Sequence, residues 1–118
     1  MKTSRRERER SGRRAEALAA LWLQLKGWRI LARRARTPVG EIDLVARRGR
    51  TVAFVEVTGR ATADQAGLAL DEYRLRRVAA AAEALAPRFV RPGDDQRIDA
   101  IFIIPRRLPR HLANVWYG

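Results

Sequence analysis

One hairpin-like segment constrains the fold of this chain more than any other feature. Residues 41–47 and 51–58 are both strand-like, and the short connection between them contains Gly49. If Gly49 takes the first central position of a two-residue type II′ turn, the register of the hairpin is defined. Counting back from the turn places Asp43 directly opposite Glu56, with both carboxylates on one face.

The other face of this hairpin supports the same register independently. It is entirely apolar, and a shift by one residue would destroy the agreement. The apolar set comprises Ile42, Leu44, Ala46, Ala53, Val55 and Val57. The segment therefore predicts two antiparallel strands with one face turned to a core.

The residues before the hairpin predict a helix and a further strand. Ser11 is a good N-cap, and Gly27 is a typical helix stop. Between them, apolar residues recur at helical spacing, and this stripe consists of Leu18, Leu21, Trp22 and Leu25. Residues 28–34 alternate loosely and are predicted to form the first strand, which the turn-like residues 37–40 end.

The residues after the hairpin predict a second helix and a fourth strand. Asp71 is the expected N-cap of a helix that ends at Ala86, with Pro87 just beyond it. Its apolar stripe comprises Leu75, Val78, Ala79, Ala82 and Leu85. Residues 97–104 have a nearly continuous apolar second half, which is typical of a strand buried on both faces. Residues 62–70 indicate no clear element.

The predicted order is helix, strand, strand, strand, helix, strand. A helix between the third and fourth strands suits a parallel crossover, so the prediction is an α/β mixed sheet with helices packed on its faces. Residues 1–10 lack apolar periodicity and are predicted to be a flexible basic arm. Residues 11–118 are predicted to form a single domain.

The charge of the chain indicates a polyanionic partner. The net charge is +12, and residues 1–14 contribute seven basic and two acidic residues, so the remainder is itself basic. Neutralising phosphates releases condensed counterions, which makes nucleic acid a natural ligand. The alternative is an arginine-rich composition that only keeps the protein soluble.

Cysteine is absent, which excludes disulfides, thiolate zinc sites and cysteine nucleophiles. This usage fits a reducing cytosol. No apolar run approaches the roughly 18 residues that a bilayer span requires. We therefore expect a cytoplasmic protein without a membrane partner.

The opposed carboxylates of Asp43 and Glu56 require compensation, because like charges on adjacent strands are destabilising. A divalent cation is the economical solution, since Mg²⁺ binds one or two carboxylates together with water and phosphate oxygens. The alternative is neutralisation by some of the many arginines. On spacing alone, both explanations stay open.

Residues 40–46 together with residues 54–57 resemble the pattern of the YraN family of predicted endonucleases. This family belongs to the restriction-endonuclease-like superfamily with its PD-(D/E)xK site. Further matching positions are Gly12, Glu16 and residues 27–31, 97–99 and 111–114, so the resemblance covers nearly the whole chain. The chain is similar, more distantly, to archaeal Holliday-junction resolvases.

The resemblance implies that Asp43 and Glu56 are ligands of Mg²⁺ or Mn²⁺, with the backbone carbonyl of Val57 as a further ligand. The resemblance also implies that Glu16 of the first helix lies at the catalytic site. Alternatively, Glu16 is an exposed residue near the start of the helix, where the helix dipole favours a negative charge. Glu41 shares the face of Asp43 and is held as a secondary candidate.

Thr58 departs from the family pattern, which expects a catalytic lysine two residues after Glu56. A threonine hydroxyl carries no positive charge. Arg60 would return to the same face if the strand continued, and an arginine can hold a phosphate but cannot act as a base at neutral pH. The lone histidine, His111, is expected to be a packing or hydrogen-bonding residue.

The resemblance implies metal-dependent hydrolysis of phosphodiester bonds in DNA, including branched or repair intermediates. DNA is favoured over RNA as the substrate. A homodimer is expected by analogy with the junction resolvases. The alternatives are a non-catalytic nucleic-acid-binding relative and a basic structural protein. Predicted phosphate contacts are Arg33, Arg34, Arg36, Arg48, Arg60, Arg74 and Arg77.

Overall fold

The computed structural model describes residues 5–59 and 72–116, with side chains from residue 12 onwards. The described elements follow one another as α1 (Arg5–Leu25), β1 (Arg29–Thr37), β2 (Gly40–Arg48), β3 (Thr51–Gly59), α2 (Glu72–Phe89), β4 (Asp95–Ile103) and β5 (Arg110–Leu112). The predicted order of helices and strands is confirmed. The short β5 was not predicted, because three residues carry too little periodicity to identify a strand.

The strands form one mixed sheet in the order β1-β2-β3-β4-β5. β1, β2 and β3 are antiparallel neighbours, β3 and β4 are parallel, and β5 is antiparallel to β4. The parallel pair is joined through α2, as a crossover connection requires. The predicted α/β mixed sheet is therefore confirmed.

The β2–β3 hairpin has the predicted register. Gly49 adopts a φ of 62°, which suits the first central position of a type II′ turn and which a side chain would disfavour. Arg48 pairs with Thr51, and Leu44 pairs with Val55. The sequence pattern had defined the pairing correctly.

The two helices cover opposite faces of the sheet. On one face, α2 packs its predicted stripe against β-strand residues that include Val45, Phe54 and Ile98. On the other face, α1 packs against a second cluster that includes Leu44, Val55 and Ile101. No helix in the described part of the chain is long and apolar enough to cross a membrane.

The prediction for α1 was wrong in two respects. The helix begins at Arg5, not at Ser11, so residues 5–10 of the predicted arm are helical. The predicted stripe is largely exposed: Leu18, Leu21 and Leu25 are 44%, 52% and 73% accessible. The buried face consists instead of Ala15, Ala19, Ala20 and Leu23. Alanines let the helix axis approach the sheet closely, and spacing alone cannot distinguish this face from its neighbour.

Several boundaries also differ from the prediction. α2 extends to Phe89 and contains Pro87, which lies in its last turn, where little of the helix follows. β1 runs to Thr37, and β4 begins at Asp95. The predicted N-cap Asp71 and residues 62–70 lie outside the described residues. In the C-terminal segment, Val115 and Trp116 pack against the α2 cluster.

Ile42 was assigned to the wrong face. It packs in the α2 cluster with Val45, whereas Leu44 packs in the α1 cluster. The change of face accompanies a left-handed backbone at Arg34, whose φ is 51°. Arg34 lies between the pairs Arg33–Leu44 and Ala35–Ile42, so it stands across from Asp43, whereas the register shift of β1 lies further back, between Ile30 and Ala32.

Candidate functional site

Asp43 lies where two strands of the sheet part. The described β2–β3 pairing ends at Leu44 and Val55, while β3 continues along β4 as far as Gly59. One step further, the same register would place Asp43 opposite Glu56, and the negative charge of Glu56 does act on Asp43. Its Oδ2 accepts a hydrogen bond of 2.8 Å from the backbone N–H of Val57. The end of the pairing thus leaves the carboxylate inside a fork between strands.

The electrostatic environment of Asp43 is unusual for a carboxylate. Burial raises the pKa of Asp43 to about 6, although the hydrogen bond from Val57 acts in the opposite direction. The negative charges of Glu16, Glu56 and Glu41 raise this pKa further. The structure therefore brings all four acidic residues of the prediction into one electrostatic neighbourhood, which we call the acidic cluster.

Glu16 reaches the acidic cluster because α1 packs tightly on the end of β3. A Cβ atom built on Gly59 would lie only 2.9 Å from the Cβ of Ala15, so only glycine permits this approach. Glu16, the next residue, is well inside the helix, so the helix-start explanation for it was wrong. Its Oε2 accepts a hydrogen bond of 2.7 Å from Nε of Arg34.

Glu56 and Glu41 each have an arginine partner. Glu56 Oε1 lies 2.5 Å from Nε of Arg74 on α2, and the Glu56 side chain is only 14% exposed. Glu41 is more accessible and lies 3.5 Å from Arg36. With the pair of Glu16 and Arg34, arginines are present at three of the four acids, and of the opposed carboxylates Asp43 and Glu56 only Glu56 has one.

Two cavities open beside the acidic cluster. One, of about 310 Å³, lies between α1 and the β1–β2 edge and is lined by Gly12, Arg13, Glu16, Arg34, Arg36 and Glu41. The other, of about 180 Å³, lies on the α2 side and is lined by Gly40, Glu41, Glu56, Arg74, Arg77 and Val78. Each combines carboxylates with arginines, so each offers both cation and phosphate contacts.

The donor chemistry of the cluster fits a hard divalent cation, because carboxylate and carbonyl oxygens are the ligands that Mg²⁺ prefers. The pKa of Asp43 is raised chiefly by burial and to a smaller extent by neighbouring acids, so a bound cation would stabilise its charged form. Within residues 5–59 and 72–116, however, no three His, Cys, Asp or Glu side chains are arranged to hold a metal. A cation would therefore rest on two carboxylates and further oxygens, and it would compete with Arg74 for Glu56.

Four of the seven predicted phosphate contacts line the two cavities. Arg34 and Arg36 line the first cavity, and Arg74 and Arg77 line the second. Arg33 is exposed on β1. Arg48 lies at the turn end of β2, where its guanidinium stacks 4.6 Å from the centre of the Trp28 ring, so the structure does not bring it to the cluster. Arg60 lies outside the described residues.

Sequence reasoning missed two features of the site. Arg13 lines the first cavity with Glu16, and its spacing of three residues from Glu16 on a helix was an available signal. The hydrogen bond between Arg34 and Glu16 had no such signal, since the two residues are far apart in sequence. Thr58 is half-buried on β3 and pairs with Phe102 on β4.

A mixed sheet between two helices, with an acidic cluster at the fork of two strands, defines the restriction-endonuclease-like class of α/β domain. The family model described as "Uncharacterised protein family UPF0102" matches residues 15–103. The chain belongs to this family, which is the YraN family of the sequence resemblance. The resemblance is thereby confirmed.

Relatives with the same description match over nearly their whole length. A UPF0102 protein of Sphingopyxis alaskensis is 68% identical over 108 residues, covering 92% of this chain and 93% of the relative. One of Erythrobacter litoralis is 60% identical with the same coverage. One of Rhizorhabdus wittichii is 57% identical over 110 residues, covering 93% of each chain.

Proposed function

We propose that this protein binds DNA and hydrolyses its phosphodiester bonds with a divalent cation, Mg²⁺ or Mn²⁺, held at Asp43 and Glu56. The observation that carries the proposal is the carboxylate of Asp43 in the strand fork, surrounded by three further acids. Among the described residues, Asp43 is the one acid of the cluster without an arginine partner, and a half-buried carboxylate without a counter-charge favours a bound cation.

The protein side of the site has two tasks in this proposal. Asp43 and Glu56 supply carboxylate oxygens, and the backbone carbonyl of Val57 lies next to the N–H that already orients Asp43. The arginines of the two cavities hold the phosphates of the DNA backbone without reading its sequence. When bound, the divalent cation would polarise the phosphate and lower the pKa of the attacking water.

A second candidate function is nucleic-acid binding without turnover. The observation that favours it is Thr58, which stands where the family pattern has a lysine. Loss of a positioned group in an active site typically costs about 100 to 10,000-fold in rate. Binding would survive such a loss, because it depends on the arginines.

Metal binding tests the first part of the proposal. Titration calorimetry with Mn²⁺ should detect binding to the wild-type protein and its loss in Asp43→Asn. Asp95→Asn is the matched control, because this exposed residue makes the same chemical change at the start of β4, beside Thr51 at the far end of β3. Equal Mn²⁺ binding in both variants, or no binding by the wild type, would overturn the metal site.

DNA binding and cleavage test the second part. Affinity for nicked, flapped, four-way and plain duplex DNA should fall steeply with salt, since released counterions drive phosphate binding. Cleavage in Mn²⁺ should disappear in Asp43→Asn, while DNA affinity in metal-free buffer persists. Binding that does not respond to salt would contradict the proposal, and binding without cleavage of any substrate would establish the second candidate.

A further inference from the structure

The family pattern places a catalytic lysine at position 58 of β3, where this chain has the uncharged Thr58. Lys26 is the only lysine in the described residues, and its Nζ lies 4.9 Å from the centre of the Trp22 ring. It stands ten residues beyond Glu16, which corresponds to roughly 15 Å along the axis of α1. Among the described residues, a positive charge at the acidic cluster must therefore come from an arginine.

Arg34 is placed for this purpose by an unusual piece of backbone. Its φ of 51° lies in the left-handed region, which is costly for a residue with a side chain. The conformation occurs across from Asp43, between the pairs Arg33–Leu44 and Ala35–Ile42. Left-handed residues other than glycine cluster at functional sites, where the surrounding structure holds them in place.

The contacts of Arg34 direct its guanidinium into the acidic cluster. Nε donates to Glu16 at 2.7 Å, and the negative charges of Glu41 and Asp43 also act on it. Among the described residues, the terminal Nη groups have no hydrogen-bond partner. The side chain is 35% exposed and lines the cavity of about 310 Å³, so these donors are accessible to a phosphate.

Arg74 is the competing candidate, and its partner argues against it. Arg74 is paired with Glu56, which the proposed function assigns to the cation. A divalent cation bound there would repel the guanidinium and take over its carboxylate. Arg34 is paired with Glu16, which lies outside the proposed ligand set, so metal binding leaves its anchor in place.

We propose that Arg34 supplies from β1 the positive charge that β3 lacks at position 58, and that its guanidinium contacts the phosphate undergoing hydrolysis. This inference rests on the proposed function. In the reaction, the oxygen of a water molecule forms a bond to phosphorus while the bond to one ester oxygen breaks. The water loses a proton to solvent and the leaving oxygen gains one, whereas Arg34 stays protonated and contributes charge alone.

Single-turnover cleavage of DNA in Mn²⁺ tests the inference. Arg34→Gln should reduce the rate by about 100-fold, as loss of one donor to developing charge typically does. Arg29→Gln is the matched control, since it removes one exposed arginine from the same strand, and its rate should stay within about threefold of wild type. The Mn²⁺ affinity should not fall in either variant, because neither removes a metal ligand.

A rescue separates charge donation from a merely structural role. Thr58→Lys in the Arg34→Gln background should recover at least about tenfold in rate, because it restores a cation to the site from the other strand. If Arg34 only orients Glu16, Glu16→Gln would cost as much as Arg34→Gln and Thr58→Lys would rescue neither, and this result would overturn the inference.

The outcomes distinguish this inference from the proposed function. A wild-type protein that binds Mn²⁺ and cleaves DNA, with Arg34→Gln equal to Arg29→Gln, refutes the role of Arg34 alone. A wild-type protein that binds neither Mn²⁺ nor DNA refutes both. If the protein binds both without cleavage, the readout becomes the Mn²⁺-dependent gain in DNA affinity, which must be lost in Arg34→Gln and retained in Arg29→Gln.

Discussion

Two aspartates of the same sheet, Asp43 and Asp99, have opposite surroundings. Asp99 is fully buried on β4, yet it accepts hydrogen bonds from Arg97 at 3.0 Å, His111 at 2.7 Å and the backbone N–H of Asn114 at 2.9 Å. Burial alone would raise the pKa of Asp99, but these partners outweigh it and hold the pKa below its usual range. Asp43 has one backbone donor and three acidic neighbours, and its pKa is raised to about 6.

The difference separates a structural carboxylate from a candidate functional one. The partners of Asp99 use its oxygens completely, so its charge stabilises the fold and offers nothing to a ligand. The charge of Asp43 opposes folding in the absence of a cation, and such a cost is typical of functional sites. His111 has a structural role like that of Asp99, because its Nε2 donates a hydrogen bond to the Asp99 carboxylate, which can only accept.

Removal of Asp99 should have the largest effect on stability. Asp99→Ala leaves Arg97 and His111 without their buried counter-charge, and we expect a loss of about 3–5 kcal/mol in the free energy of unfolding. Denaturant unfolding at pH 7 without metal measures this loss. Asp43→Ala is the comparison and should be neutral or stabilising. Similar losses in the two variants would abolish the distinction between the aspartates.

The pH dependence of stability should reveal Asp43. Its folded pKa, about 6, exceeds the ordinary value of 3.8, so the folded state holds a proton that the unfolded state releases between these pH values. Wild-type stability should therefore fall relative to Asp43→Asn as the pH rises through this window, by up to about 3 kcal/mol. Denaturant unfolding of both proteins without metal, between pH 4 and pH 7, measures this difference in stability. Parallel curves of unfolding free energy against pH would contradict the prediction.

Substitution of His111 should have a smaller effect than loss of Asp99. His111→Gln removes one charge-assisted hydrogen bond while the bonds from Arg97 and Asn114 remain, so we expect a loss of about 1–2 kcal/mol. Denaturant unfolding is the measurement. A loss as large as that of Asp99→Ala would show that the three partners act as one cooperative unit.

A lysine at position 58 should have the smallest effect on stability. By strand alternation, Thr58 shares the face of Glu56, so Thr58→Lys adds a positive charge near the acidic cluster. We expect a gain of up to about 1 kcal/mol at pH 7 and a shallower pH dependence. Thr51→Lys, at the far end of β3, adds the same charge as a control. Equal effects of the two lysines would argue against a local charge imbalance around Asp43.

Much of the fold was predictable from short-range pattern. The hairpin register followed from the turn at Gly49 and the alternation of Leu44 and Val55, because both depend on neighbouring residues. The order of elements and the juxtaposition of Asp43 with Glu56 followed from that register. The α1 stripe was wrong because helical spacing states which residues share a face, but not which face the sheet accepts.

The remainder of the candidate site depends on contacts that no local pattern encodes. Glu16 meets Arg34 only because Ala15 packs against Gly59, and that approach joins the first helix to the end of the third strand. The fork at Asp43 arises where β2 and β3 part, and the left-handed backbone of Arg34 occurs between two regular pairs of β1 and β2. Strand alternation predicts neither, since it assumes that pairing continues.

The sequence by itself determined the secondary-structure order, the family and the opposed carboxylates of Asp43 and Glu56, since turn chemistry and alternation are properties of adjacent residues. Only the tertiary structure decided which charges are neutralised. Burial and partners contributed by distant segments give Asp99 a lowered pKa and Asp43 a raised one. The same packing decided that the guanidinium bonded to Glu16 belongs to Arg34 of β1, far from Glu16 in sequence.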